Sequence, residues 1–230
     1  MLSDVDIRQA REAYKNDSNT GISIEPFDED HLTPVGYDLR VGYKGFSWRK
    51  RNVINIREQG TFKIEPDDTV VIETLESVIL SPEVGATVHS LVSKVVPEGL
   101  SNISTTIDPG WKGKLLISIH NYSDTPTVIE YEKKICTVCF FEVKSNAVKN
   151  PTREIDREDL WRILVAKADK AGEKLEKERK YRFLLMIIYV IASLIIGGLT
   201  ARIDPAFGAT IAALIAGISP LVVEIIRNPK

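Results

Sequence analysis

Alternation of apolar and polar residues dominates the first two-thirds of the chain. The runs TGISIEPF, YDLRVGY, VINI, TFKIEP, TVVIETLESVIL, ATVHSLVS, SNISTTI, KLLISIHNYS, TVIEYE and KICTVCFFEV follow one another between turn signals made of Gly, Pro, Asp and Asn. Side chains of a strand point to opposite faces in turn, so this period of two predicts short strands, each with a face to bury. So many strands with few helical windows between them predict a barrel or a sandwich. Ahead of them, Met1 to about Asp17 reads as a helix, with Ser3 at the N-cap, Asp6 three residues on, and Val5, Ile7 and Ala10 apolar.

Between Asn146 and Pro151 the period changes. REIDREDLWRILVAKADKAGEKLEKERKYR reads as one charged helix with Leu160, Leu164, Ala168, Ala171 and Leu175 along a narrow stripe, which Gly172 weakens. A stalk that pairs with other copies and a solvated single helix both fit that stripe. From Phe183 to Ala201 the chain has no charge, a length that nearly matches the hydrocarbon core of a bilayer at about 1.5 Å per residue. A second apolar run follows from Ala206 to Ile226, with Glu224 near its end. The four residues between the runs, Arg202 to Pro205, leave room only for a tight turn, so an antiparallel membrane hairpin is expected. Lys174, Lys177, Arg179, Lys180 and Arg182 before it, and Arg227 and Lys230 after it, outweigh the turn, which offers Arg202 against Asp204. Basic residues stay on the cytoplasmic side, so the expectation is a two-span inner-membrane protein with its N-terminal domain and C-terminus in the cytoplasm. A buried helical hairpin in a soluble protein is the alternative. Gly197, Gly198, Ala201, Gly208, Ala212, Ala213, Ala216 and Gly217 favour close helix packing. The expected domains are 1–145 for a β-rich head, 146–182 for a helical linker and 183–230 for the hairpin.

Composition narrows the function. Thirty Lys and Arg against 32 Asp and Glu leave a net charge of −2 across 230 residues, which gives no general attraction to a nucleic-acid backbone. Two cysteines exclude a disulfide-stapled scaffold. Cys136 and Cys139 form a C-x-x-C, but they supply too few ligands for zinc and a spacing of three puts them on opposite faces of a strand, so core cysteines are expected. His31, His89 and His120 show no triad pattern, and no phosphate-binding G-x-x-x-x-G-K-S loop is present. What remains is the turn in SNISTTIDPGWKGKLLISIHN, where Asp108, Pro109, Gly110 and Trp111 bring a carboxylate, backbone donors and an aromatic ring together.

Four segments in order, LSDVDI, GYDLRVG, ETLESVILSPEV and TIDPGWKGKLLISIHN, make residues 1 to about 145 resemble the dCTP deaminase and dUTPase superfamily. The resemblance implies a mainly β fold, a distorted β-barrel of the dUTPase type, usually a homotrimer with nucleotide sites between subunits. It implies that Asp108 is the acid that orients the attacking water, with Mg²⁺ arriving on the nucleotide if the protein is active. Trp111 takes the aromatic place over the deoxyribose, Asn102 a base-contacting place, and Asp38 that of the first-motif acid. The bland alternatives are that Asp38 and Asp108 cap turns, Asn102 ends a strand and Trp111 is core. Departures are as informative. Where deaminases hold a catalytic glutamate this chain has Ser118, which cannot take up a proton near neutral pH without its own base. The phosphate motif is replaced by His89, Ser90 and Leu91, followed by Val92, Ser93 and Lys94, so bidentate guanidinium contact is lost. Thr137 replaces a glutamine, and the charged helix replaces the C-terminal arm. The expected function is a membrane-anchored nucleotide sensor or effector, with His89, Ser90 and Lys94 beside Asp38, Asn102, Asp108 and Trp111 as the binding set. Six helices of a trimer acting on membrane integrity is the output an antiviral effector needs. The alternative is an active membrane-tethered dUTPase-like pyrophosphatase or deaminase.

Overall fold

The computed structural model describes residues 1–149 and 155–203. It is mainly β. Helix α1 (Asp4–Asn16) opens the chain with a full capping box: Ser3 Oγ accepts the Asp6 N–H, and the Asp6 carboxylate accepts the Ser3 N–H at 2.9 Å. Strands β1 (Ile22–Glu25), β2 (Leu32–Thr33), β3 (Gly36–Ser47) and β4 (Asn52–Asn55) follow, then a single helical turn, α2 (Ile56–Gln59). After β5 (Thr61–Ile64), β6 (Thr69–Leu80) and β7 (Val84–Ser90) comes helix α3 (Val92–Glu98). The rest of the head is β8 (Leu100–Asn102), β9 (Thr105–Ile107), β10 (Lys112–Asn121), β11 (Thr127–Glu130) and β12 (Lys134–Glu142).

The strands form a curled half-barrel sheet in the order β8-β10-β6-β3-β12-β7-β9, with β1 on β6 and β2 and β4 on β3, while β5 and β11 pair separately. Every pairing among the described residues is antiparallel. On β10 the odd positions Leu115, Ile117 and Ile119 are buried and the even ones between them half-exposed, as alternation demands. The main core gathers these with Tyr37, Leu39, Val70, Ile72, Val138 and Phe140. Cys136 and Cys139 are both buried and free, and burial pushes both thiols up.

Two predicted strands are broken by helix. VINI ends in α2, because Asn55 caps the turn by accepting the Glu58 N–H and Gly60, at φ 73°, closes it. ATVHSLVS gives way to α3 after Ser90. SNISTTI is divided into β8 and β9, which pair with different strands, β10 and β7.

Helix α4 (Glu158–Ile203) begins after a short 3₁₀ turn at Ile155–Arg157. The first compact unit runs to Asp169, with the root of α4 lying on the sheet: Trp161 and Leu164 bury against Phe46, with Val71, Leu116 and Ala168 around them. The second unit starts at Lys170. In it Phe183, Leu184, Ile188, Val190, Ile191, Ile195 and Leu199 are all exposed. Among the described residues no helix is long and apolar enough to cross a membrane. The 183–201 run contains Leu194, Gly197, Thr200 and Ala201, whose side chains lie outside that description, and the second apolar run, 206–226, lies wholly outside the described residues.

Candidate functional site

A cavity of about 290 Å³ opens beside β10. Its construction starts at the end of α3, where Gly99 takes a left-handed conformation (φ 63°) and sends the chain back beneath the helix as β8. Antiparallel register then sets Asn102 directly opposite Ile119 of β10, so both side chains share one face. Val95 and Glu98 of α3, Val128 of β11 and Lys134 of β12 complete the walls. Both polar atoms of the Asn102 amide are buried without a hydrogen-bond partner from the protein. An amide so placed normally has its bonds made, and leaving both ends open is costly. The cavity thus offers an amide donor and acceptor between apolar residues of β10 and β11, with charged groups at Glu98 and Lys134, a pattern that suits a flat, hydrogen-bonding ring.

Lys134 links this cavity to the buried acid. Its Nζ donates to Asp38 at 3.1 Å and to the Asp30 carbonyl at 3.3 Å. Asp38, only 6% exposed, also accepts from Thr137 Oγ1 at 2.7 Å. Thr137 is the register partner of Asp38 on one side and of His89 on the other, so these three form one row across β3, β12 and β7. His89 Nε2 lies 2.8 Å from Thr87 Oγ1 on the exposed edge of that row. Ser90 pairs with Cys136 one step along. Lys94 belongs to α3, and its side chain lies outside the described set.

The Asp108 turn sits elsewhere. Trp111 N–H donates to the Asp108 carbonyl at 3.2 Å and Gly110 N–H to the Ser81 carbonyl at 3.2 Å, which holds the turn at the start of β10. The Trp111 ring is 5% exposed, belongs to the main core and donates from Nε1 to the Gly113 carbonyl at 2.9 Å. Within one chain the ring therefore presents no open aromatic face to a ligand. Asn102 lies opposite Ile119, eight residues further along β10, which at the usual rise is about 26 Å from Trp111. Ser118 points to the face of β10 opposite Ile119 and the cavity. One chain therefore brings together Asp38 and His89 through Thr137, and Asp38 and Asn102 through Lys134, but keeps Asp108 and Trp111 apart from both pairs.

The cavity walls from α3, β11 and β12 were not marked by sequence pattern. They come from segments up to 40 positions apart, and of these residues Lys134 alone carries a local signal, a base next to an apolar strand.

Residues 1–143 match the profile of the dCTP deaminase-like family. The chain belongs to that family. Among relatives, a dCTP deaminase from Thermococcus sibiricus is 37% identical over 134 residues, covering 58% of this chain and 83% of the relative. A dCTP deaminase from Pyrococcus furiosus is 34% identical over 132 residues, covering 57% and 82%. The dUMP-forming dCTP deaminase of Tropheryma whipplei is 28% identical over 164 residues, covering 64% and 80%. Among solved structures, the 2′-deoxycytidine 5′-triphosphate deaminase of Agrobacterium tumefaciens aligns with a TM-score of 0.49 at 17% identity, over 60% of this chain and 47% of that one. The EIAV dUTPase aligns at 0.40 and 19% identity, over 58% and 97%. The family match ends at residue 143, so the 3₁₀ turn and α4 lie beyond the family domain.

Proposed function

We propose that the dCTP deaminase-like head binds a pyrimidine nucleotide and reports its presence through α4 to a membrane, as a homotrimer with blunted chemistry. The observation that supports it best is the Asn102 amide, buried, unpartnered by the protein and facing a cavity. A pyrimidine edge supplies both a donor and an acceptor for such an amide. Lys133 and Lys134 beside it, paired in the free protein with Glu130 and Asp38, are the cations a phosphate could draw on in place of the guanidinium that His89 does not supply. Ser118, in the position where deaminases hold their glutamate, faces away from the cavity. Its hydroxyl supports binding more readily than proton abstraction. The bilayer part of the reading rests on the uncharged run 183–201 and on apolar side chains exposed around α4 from Phe183 to Leu199. A helix apolar all round needs an apolar environment.

The deaminase relatives at up to 37% identity favour a second reading, a tethered enzyme acting on dCTP or dUTP with Asp108 as the acid. Mg²⁺ would then be held chiefly by the nucleotide's own phosphates, since among the described residues no group of three or more His, Cys, Asp or Glu side chains is placed to hold it. Full-length protein extracted from membranes and titrated with dUTP and dCTP separates the two. Binding that Asn102→Ala abolishes, without release of pyrophosphate or ammonia, supports the sensor. Turnover that disappears in Asp108→Ala overturns it in favour of the enzyme. Native mass spectrometry of the same sample reads the stoichiometry, and a monomer free of nucleotide would sink both the trimer and the sensor.

A further inference from the structure

The root of α4 is held on the face of the sheet opposite the main core, and the holding is built with several weak points. The cluster that seats it has three buried apolar residues, Phe46 of the sheet with Trp161 and Leu164 of the helix, against the much larger set in the main core. The Trp161 indole N–H is buried without a hydrogen-bond partner. Asp156 and Arg157, the residues that turn the chain into α4, have φ of 55° and 53°, a left-handed conformation that side-chain-bearing residues adopt at a cost. Their contact with the sheet is specific. Asp156 Oδ1 accepts the Lys114 N–H at 2.7 Å, and a Cβ on Gly113 would lie 2.5 Å from the Asp156 nitrogen and 2.6 Å from that oxygen. Only glycine at 113 lets the turn sit down. At the same place the pairing of β10 with β6 shifts register between Lys114 and Leu116. A bulge of this kind breaks the ladder locally.

We infer that residues 155–168 form a strap that docks on β10 and opens as a cooperative unit of its own while the barrel stays folded. A tight strap would have every buried polar group satisfied and its turn made of glycine. This one leaves the Trp161 N–H unpartnered and turns on Asp156 and Arg157, so its opening lies well below global unfolding in free energy. Glu73 adds to the bias. Its carboxylate lies under the strap, 3.3 Å from Lys114 Nζ, with Lys44 and Asp156 as the other charged groups facing it, and burial holds its pKa above the usual carboxylate value. Lys114 Nζ also sits 4.5 Å from the centre of the Tyr43 ring, and Lys44 reaches Glu158 at 3.6 Å. Charge on Glu73 is thus disfavoured in the docked state, which places part of the strap's hold under the control of one ionisable group. The strap does not depend on the nucleotide reading. Since β10 also lines the cavity with Ile119, the strand the strap grips is one a bound ligand would touch.

Hydrogen exchange of the full chain in detergent micelles, read by mass spectrometry, tests it. Amides of 158–168 are expected to exchange at least tenfold faster than those of β6 and β10. Asp156→Ala removes the carboxylate that accepts from Lys114 and should speed exchange in the strap about tenfold further, with β6 and β10 unchanged within twofold. Asp156→Asn keeps an oxygen acceptor and tolerates the left-handed turn, so it should stay within threefold of the natural protein. Glu73→Gln should slow strap exchange at pH 8 and leave it unaltered at pH 4, below the ordinary glutamate value. Equal exchange rates for strap and β10, or an Asp156→Ala effect spread evenly over the barrel, would overturn the inference by making the root an integral part of the head.

Discussion

Two buried glutamates three residues apart on β6 meet very different surroundings. Glu76 accepts from the Arg40 backbone N–H at 2.8 Å and from its guanidinium, on the side of the sheet that faces the main core. Glu73, on the other face, has the single ammonium of Lys114 at 3.3 Å under a helix root that also leaves the Trp161 N–H unpaired. The first arrangement over-determines its carboxylate and the second leaves it uneasy. Interiors of stable domains satisfy their polar groups, so the places that do not are the ones where the chain moves or takes a ligand. By that measure Arg40 and Glu76 mark a fixed side of the head, and the helix root and Asn102 are two of the places, with His31 and Ser81, where a buried polar group is left open.

The comparison breaks first if the fixed side is not fixed. Glu76→Ala leaves the Arg40 guanidinium, with 14% of its side chain exposed, with only the more distant Asp28 carboxylate at 3.9 Å. Breaking a buried pair from one side costs roughly 3–5 kcal/mol, and loss of the cooperative unfolding transition in guanidinium chloride is expected. A variant that unfolds within about 1 kcal/mol of the natural chain would remove the distinction between the two glutamates. Next comes Trp161→Ala, which empties most of the small cluster. About 2–3 kcal/mol is expected, below the usual range for a tryptophan because the cluster is small, and it should fall on the helix root alone. Limited proteolysis reads it: cleavage within 155–169 should accelerate while a head fragment survives uncut.

Much of this organisation was legible in the sequence, and the exceptions have physical causes. Alternation over TVVIETLESVIL gave β6 to the residue, and the Ser3–Asp6 box gave α1, because both signals are local. Helix α3 was hidden because VSKVVPE is rich in β-branched residues and contains Pro97, the composition of a strand end. What makes it helical is the left-handed Gly99 after it and the space above β8. On α4 the stripe was expected to run through Leu160. The structure instead seats Trp161, one position and about 100° around the helix, and periodicity cannot choose between neighbours that flank the same face. The site divides the same way. Asn102 was marked by the family resemblance, but the walls that make it a pocket come from Val95, Val128 and Lys134, which only tertiary pairing brings together.

Asn102 sharpens the comparison at smaller cost. Replacing it with Leu deletes a buried amide that has no protein partner and should raise the melting temperature slightly, by about 1 kcal/mol of stability, while ligand binding is lost. Destabilisation by that change would mean that the amide is satisfied in the free protein and the cavity is structural. The smallest effect belongs to Glu73→Gln, and it comes with a sign. Burial raises the folded-state pKa of Glu73 above its ordinary 4.5, with Lys114 opposing less strongly, so between those two values the folded chain holds a proton the unfolded chain has released. Stability from this group is therefore complete at pH below 4.5 and falls as pH rises through the folded-state value. Glutamine mimics the protonated form, so the variant should melt about 2 °C above the natural protein at pH 8 and alongside it at pH 4. The same pair of melting curves for Glu76→Gln should show a loss at pH 8, since there the charge is what Arg40 requires; gains in both variants would mean that the two faces of β6 treat a buried carboxylate alike.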